Sequence, residues 1–125
     1  MRPRGGSLFP EQISTSASRL DITTIETGGL VRFVLAGELD ATEDPRLREA
    51  VALAVARGRP IGIDAAGLTF LDSGGIRALL ACRRLVENAG LPFSIVEAGT
   101  VAYQVLQITG LLRTFDVPAH RGPSS

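Results

Sequence analysis

The chain has 125 residues, of which 45% are hydrophobic and 21% charged, with a formal net charge of zero. That length suits one domain with a core of its own, and the composition is that of a globular protein. The thirteen basic residues are all arginines and are scattered along the chain, which argues against a nucleic-acid-binding stripe, and a single cysteine, Cys82, excludes an internal disulfide.

Taken in order, residues 1–17 are rich in Ser, Gly and Pro and are expected to form a flexible tail. Arg2 and Arg4 precede no continuous apolar stretch, so a signal peptide is rejected. No apolar run approaches the ~18 residues of a membrane span. The expected protein is soluble and cytoplasmic.

Leu20, Ile22 and Thr24 alternate with polar neighbours, Gly28-Gly29 marks a turn, and a second apolar strand follows at 30–35. Residues 20–35 therefore read as a hairpin. Asp44-Pro45 opens a helix, with Asp44 as N-cap and Pro45 in the first turn. Leu47, Ala50, Val51, Ala54 and Val55 form its apolar stripe, and Gly58 and Pro60 end it. Ile61-Gly62-Ile63 is a short buried strand that Asp64 ends. A second helix spans 75–89, with Leu79, Cys82, Val86 and Ala89 on one side and Gly90 at its end. A strand at 93–96 follows. Thr100 caps a third helix, with Val101, Val105 and Ile108 on one side and Gly110 as its stop. Residues 111–117 are expected to add a terminal strand, and 118–125 a second flexible tail.

Strands alternating with helices imply βαβ units. The predicted fold class is α/β: one mixed sheet of about four to five strands, with an N-terminal hairpin and helices packed on it. A single domain is expected over 18–117, with no internal repeat.

The chemistry centres on Leu68-Thr69-Phe70-Leu71-Asp72-Ser73-Gly74-Gly75-Ile76. An apolar run stops at a polar turn, and a helix pattern starts directly after it. Ser73 then stands at or beside a helix N-terminus, where unpaired amides and the helix dipole favour negative charge. Its hydroxyl has three readings: an N-cap, a nucleophile, or an acceptor for a phosphoryl group. Asp72 is a rival cap.

Asp72-Ser73-Gly74-Gly75 looks like the nucleophile segment of trypsin-like proteases, but Leu71 and Ile76 replace that family's Gly and Pro. A triad also needs a histidine base, and the only histidine is His120, in the C-terminal tail. Gly74-Gly75 could bind an anion at a helix start, yet no Walker-type motif exists and the chain has no lysine. No His/Cys cluster suggests zinc. Asp40, Asp44, Asp64 and Asp72 fall at predicted strand ends or helix starts, and Asp40 and Asp72 are expected to converge at one end of the sheet. Neither enzymatic activity, a cofactor nor a metal is expected.

Gly37-Glu38-Leu39-Asp40, the helix beginning Pro45-Arg46-Leu47-Arg48, and Leu68 to Gly75 together resemble the STAS-domain anti-sigma factor antagonists of bacteria. The resemblance covers roughly residues 19–117 and includes the stretch around Thr109-Gly110. It implies a cytoplasmic regulator that works by partner switching. Its partner would be an anti-sigma factor that is also an ATP-dependent serine kinase. The unphosphorylated form would bind that partner and release sigma factor, and phosphorylation of Ser73 would end binding. The aspartate matching Asp40 would support phosphorylation or partner contact. The partner surface so implied comprises Asp40, Thr42, Asp72, Ser73, Gly74, Gly75, Ile76 and Leu80. No direct contact with nucleic acid or membrane is implied, and a weak homodimer is compatible with the family. Two departures stand out: Gly74 where family members more often carry Ser or Thr, and no C-terminal helix after Val117. The alternative is a STAS scaffold or accessory subunit, for example of a lipid-transport complex, that is never phosphorylated.

Two further readings concern the predicted second helix. Gly74 and Gly75 are expected to allow close approach of another chain, although Gly75 also suits tight helix–sheet packing. Ile76 and Leu80 fall among Arg77, Arg83, Arg84 and Glu87 on a helical wheel. Exposed, they would anchor a partner beside Ser73. The alternative is an apolar stripe wide enough to bury both.

Overall fold

A computed structural model describes residues 18–118. The predicted tails, 1–17 and 118–125, lie outside the described residues save for Pro118, and so does His120. Eight segments follow in order: strand β1 (Leu20–Thr27), strand β2 (Leu30–Leu39), a 3-10 turn (Ala41–Glu43), helix α1 (Asp44–Val55), strand β3 (Ile61–Leu71), helix α2 (Ser73–Asn88), strand β4 (Phe93–Glu97) and helix α3 (Gly99–Ile108). The strands form one sheet in the order β1-β2-β3-β4. β1 is antiparallel to β2, across a turn in which Gly28 and Gly29 both take positive φ. β2, β3 and β4 are parallel, and α1 and α2 make the two crossovers.

The core is built by the two expected periodicities. Alternate residues of β2 (Val31, Phe33, Leu35) point inward with Leu39, as do Ile61, Ile63 and Ala65 of β3. They meet Leu47, Val51 and Ala54 of α1 and Leu79, Cys82 and Val86 of α2, in one continuous cluster. The two helices also lie against each other. Ala102 and Leu106 of α3 and Phe115 complete the cluster.

Several expectations are corrected. Asp44 is the first residue of α1 rather than its cap; its carboxylate instead receives Arg48 one turn on, through bonds of 2.8 and 3.1 Å. β3 does not end at Asp64 but runs eleven residues through it. Asp64 accepts from Arg32 on β2 at 2.6 Å and from the Ala66 N–H at 3.0 Å, beside register shifts that pairing with both neighbours accommodates. A polar residue mid-strand thus marks an irregularity of the ladder, as bulges commonly do.

Helix α3 starts at Gly99, with Ala98 in the cap position and no side-chain cap, so Thr100 does not cap it. Gly99 has φ +74°, and an added Cβ would lie 2.7 Å from the Ala66 Cα. Glycine alone suits both that backbone and that approach. The helix buries Ala102 and Leu106; Val101 and Val105 are half-buried and Ile108 is 84% exposed. Ala89 is likewise exposed at the end of α2. The predicted strand at 111–117 is a series of turns, with Val117 N–H donating to the Leu112 carbonyl at 3.0 Å. Phe115 is buried against Phe93, its ring tilted at 57° and 6.3 Å away, and its carbonyl accepts from Ile95 N–H at 2.9 Å. Burial of one aromatic ring, rather than a strand ladder, ties this segment to β4. Among the described residues the sheet therefore has four strands.

Cys82 is a core residue, and burial raises its thiol pKa to about 12, with the Asp44 charge adding to the effect. The thiolate is the reactive form. Iodoacetamide at pH 8 is expected to leave the folded protein unlabelled and to label it only in denaturant, as intact-mass measurement would show.

Candidate functional site

The parallel register of β2 and β3 pairs Leu39 with Leu71, so Asp40 and Asp72 leave the sheet side by side. Both turn immediately into helical backbone, and both spend a carboxylate oxygen on capping it. Asp72 Oδ1 accepts from the Gly75 N–H at 2.9 Å. Asp40 Oδ1 accepts from the Thr42 N–H at 3.0 Å and from the Thr42 hydroxyl at 2.5 Å. Each cap satisfies an amide that the helix start leaves without a partner.

Asp72 thereby takes the role open to Ser73. Ser73 is the first residue of α2, is exposed, and its hydroxyl has no hydrogen bond among the described residues. The N-cap reading of Ser73 is excluded. What remains is an unengaged hydroxyl at the positive end of a 16-residue helix.

Asp40 is half-buried, and Thr42 is exposed beside it. The Thr42 hydroxyl holds the Asp40 carboxyl below its ordinary range, and Arg19, at 3.5 Å, acts in the same direction. A depressed carboxylate pKa contributes stability that is complete above the unfolded value and lost as pH falls through the folded one. In Thr42→Val, carboxyl-carbon NMR should find the Asp40 pKa moved up toward 3.8. Stability above the unfolded pKa should then drop slightly, and the acid limb of the stability curve should become shallower, because the pH-dependent share from Asp40 is lost. An unchanged Asp40 titration would contradict the assigned cause.

Gly74 and Gly75 are buried, and the close approach they permit is to their own chain. A Cβ on Gly74 would lie 2.8 Å from both the backbone N and the Cβ of Ala41. One on Gly75 would lie 2.3 Å from the Leu39 carbonyl oxygen. The first turn of α2 therefore sits directly on the end of β2 and the turn after it. The expectation that these glycines leave room for another chain is corrected on this point.

For Ile76 the wide-stripe reading holds, and its place as an exposed partner anchor is corrected. It is 9% exposed and belongs to the core, because the buried face of α2 is broad: Gly74, Gly75, Ile76, Ala78, Leu79, Cys82 and Val86. Leu80 is half-buried. It lies in a shallow depression between α1 and α2 together with Ala41, Gly74 and Ala81, rimmed by Arg48, Arg77 and Arg84.

One element of the site escaped sequence reading. Glu43, 6% exposed, closes the turn after Asp40. Arg46 reaches its carboxylate at 2.6 Å and also donates to the Ser18 hydroxyl and the Leu20 carbonyl. The Glu43–Arg46 spacing of i,i+3 was the available signal, but only the fold reveals that the pair straps β1 to the turn beside the site.

No group of three or more His, Cys, Asp or Glu side chains able to hold a metal occurs among the described residues. No helix among them is long and apolar enough to cross a membrane.

Residues 22–115 match the family model described as "Mlab, STAS domain". The chain belongs to the STAS family. The STAS domain here resembles a crystal structure of an anti-sigma factor antagonist from Mycobacterium paratuberculosis, with 25% identity and a TM-score of 0.68 over 84% of this chain and 88% of that one. It also shares its fold with the anti-sigma factor antagonist SpoIIAA in its unphosphorylated form, at 23% identity, TM-score 0.61, and 73% and 82% coverage. The Bacillus cell fate determinant SpoIIAA in its phosphorylated form gives 24% identity, TM-score 0.56, and 74% and 84% coverage. No curated protein sequence gives a significant match.

Proposed function

We propose that this STAS domain is an anti-sigma factor antagonist that works by partner switching, with Ser73 as the switch. The observation that carries the reading is the free hydroxyl of Ser73, exposed at the start of α2 while Asp72 does the capping. Likeness to an anti-sigma factor antagonist supports the partner class. The proposed partner is an anti-sigma factor with ATP-dependent serine kinase activity, bound by the unphosphorylated form in the cytoplasm. In the modification, the Ser73 oxygen bonds to the γ-phosphorus of ATP, the bond to the β-phosphate oxygen breaks, ADP leaves, and the hydroxyl proton is lost to solvent. Asp40 and Thr42, on the neighbouring turn, and Leu80, two turns on along the same helix, complete the proposed contact surface.

The fold suits this use. A phosphoryl group adds about −1.5 to −2 charge, and a helix N-terminus favours that charge by only ~0.3–1 kcal/mol. The modified domain should stay folded while its surface changes. Incubation with the cognate kinase and ATP, followed by peptide mass mapping, should place one phosphate on Ser73. Ser73→Ala should bind the kinase and remain unmodified. Phosphate incorporated into Ser73→Ala at the wild-type rate would refute the assignment. A protein left unmodified by a kinase that it binds would favour the unphosphorylated scaffold.

A further inference from the structure

Helix α2 carries a second feature next to Ser73. Ser73, Arg77, Leu80 and Arg84 follow one another at i, i+4, i+7 and i+11, a single stripe along the helix. Most of the described arginines are tied to a carboxylate: Arg48 to Asp44, Arg46 to Glu43, Arg32 to Asp64, Arg83 to Glu87. Arg77 and Arg84 are exposed and have no ion pair among the described residues. Two uncompensated cations thus stand in line with the hydroxyl, in a chain whose net charge is zero.

Resting on the reading that Ser73 is phosphorylated, we propose that Arg77 captures the phosphate, so that modification withdraws a cation from the α1–α2 depression as it adds an anion to the loop. Helical side chains lean toward the N-terminus, so Arg77, at the rim of the depression beside Gly74, is within reach of the turn that holds Ser73. Residues four apart have Cβ atoms about 5–6 Å from each other, and a guanidinium can pair two N–H groups with phosphate oxygens. No competing ion pair among the described residues has to be broken, because Arg77 is tied to none of their carboxylates. Arg84 lies about 16 Å from Ser73 along the helix axis, outside the Debye length of ~8–10 Å, and serves as the control.

The other charges facing this position are already engaged. Asp72 bonds to the Gly75 N–H, Asp40 to Thr42 and Arg19, and Asp44 of α1 to Arg48. Arg77 is therefore the nearest cation on α2 with free donors. Capture changes the surface that a partner meets at two points, the mouth of α2 and the rim beside Leu80.

The test uses the full chain with phosphoserine installed at position 73 by genetic encoding, so that no kinase is needed. The second pKa of the phosphate, about 6 for the free group, is followed by ³¹P NMR. Arg77→Gln should raise it by about half a unit to one unit, and 1 M salt should shrink that difference. Arg77→Lys should recover part of the wild-type value, and Arg84→Gln should leave it unchanged. A phosphate pKa that ignores Arg77→Gln, or moves equally with Arg84→Gln, overturns the capture while leaving the switch at Ser73 standing. The switch has its own failure, absence of Ser73 modification by the kinase, which this measurement does not share.

Discussion

Gly75→Ala is expected to lower the melting temperature of the domain by about 8–15 °C, from a loss of about 2 kcal/mol. Helix propensity alone argues for the opposite sign, since alanine is about 1 kcal/mol better than glycine inside a helix. The position decides the outcome. A Cβ there would stand 2.3 Å from the Leu39 carbonyl oxygen, 2.7 Å from Leu71 Cδ1 and 3.0 Å from the Leu39 carbonyl carbon. Two of those three atoms are backbone in the adjoining strand, so no side-chain rotation relieves the clash. The first turn of α2 must lift from β2, and the damage falls on the segment that presents Ser73. Gly74→Ala should cost less, because its nearest contacts, Ala41 N and Cβ at 2.8 Å, belong to an exposed residue in the turn after β2. Thermal melts followed by circular dichroism measure both. A Gly75→Ala protein that melts at or above the wild-type temperature would show that the helix start does not rest on β2 as described.

Ser73→Asp is expected to weaken binding to the proposed anti-sigma factor partner about tenfold to a hundredfold, and full phosphorylation a hundredfold or more. At an effective dielectric of about 20, one charge repels a partner carboxylate ~6 Å away by roughly 3 kcal/mol before salt screening, and about 1.4 kcal/mol is tenfold in affinity. The aspartate carries one negative charge and the phosphate nearly two. Neither change touches the core, because the Ser73 side chain is exposed and holds no hydrogen bond among the described residues. Melting temperature should therefore move by only a few degrees while affinity collapses. Calorimetric titration against the partner, paired with a melt of each variant, separates the two effects. Binding of Ser73→Asp within twofold of wild type would remove charge as the switching agent.

The ease with which different parts of this protein were read from its sequence has a physical pattern. Signals carried by a few adjacent residues translated well. The hairpin around Gly28-Gly29, the apolar stripe of α1 and the helix start after Asp72 each depend on local backbone preference and period. The family motif was legible for the same reason, since Asp72 acts through the amide of Gly75, three residues on in its own chain. Readings that depended on what lies opposite were less secure. Thr100 has the chemistry of a cap, but α3 begins at Gly99 because the chain must pass close over Ala66. The segment at 111–117 has the apolar content of a strand, but its one large ring, Phe115, is drawn into the core beside Phe93. Asp64 looked like a strand end because its partner, Arg32, lies 32 residues away.

By itself the sequence determined the α/β class, the position of the polar turn at 72–75 and the choice of Ser73 as the residue to watch, because each follows from spacing along one chain. The tertiary structure decided the rest. It assigned the cap to Asp72, leaving the Ser73 hydroxyl without a partner among the described residues, buried Ile76, and turned Gly74 and Gly75 toward Ala41 and Leu39. Those outcomes depend on which surfaces meet across the sheet, and contacts between residues some thirty positions apart have no local period from which to be read.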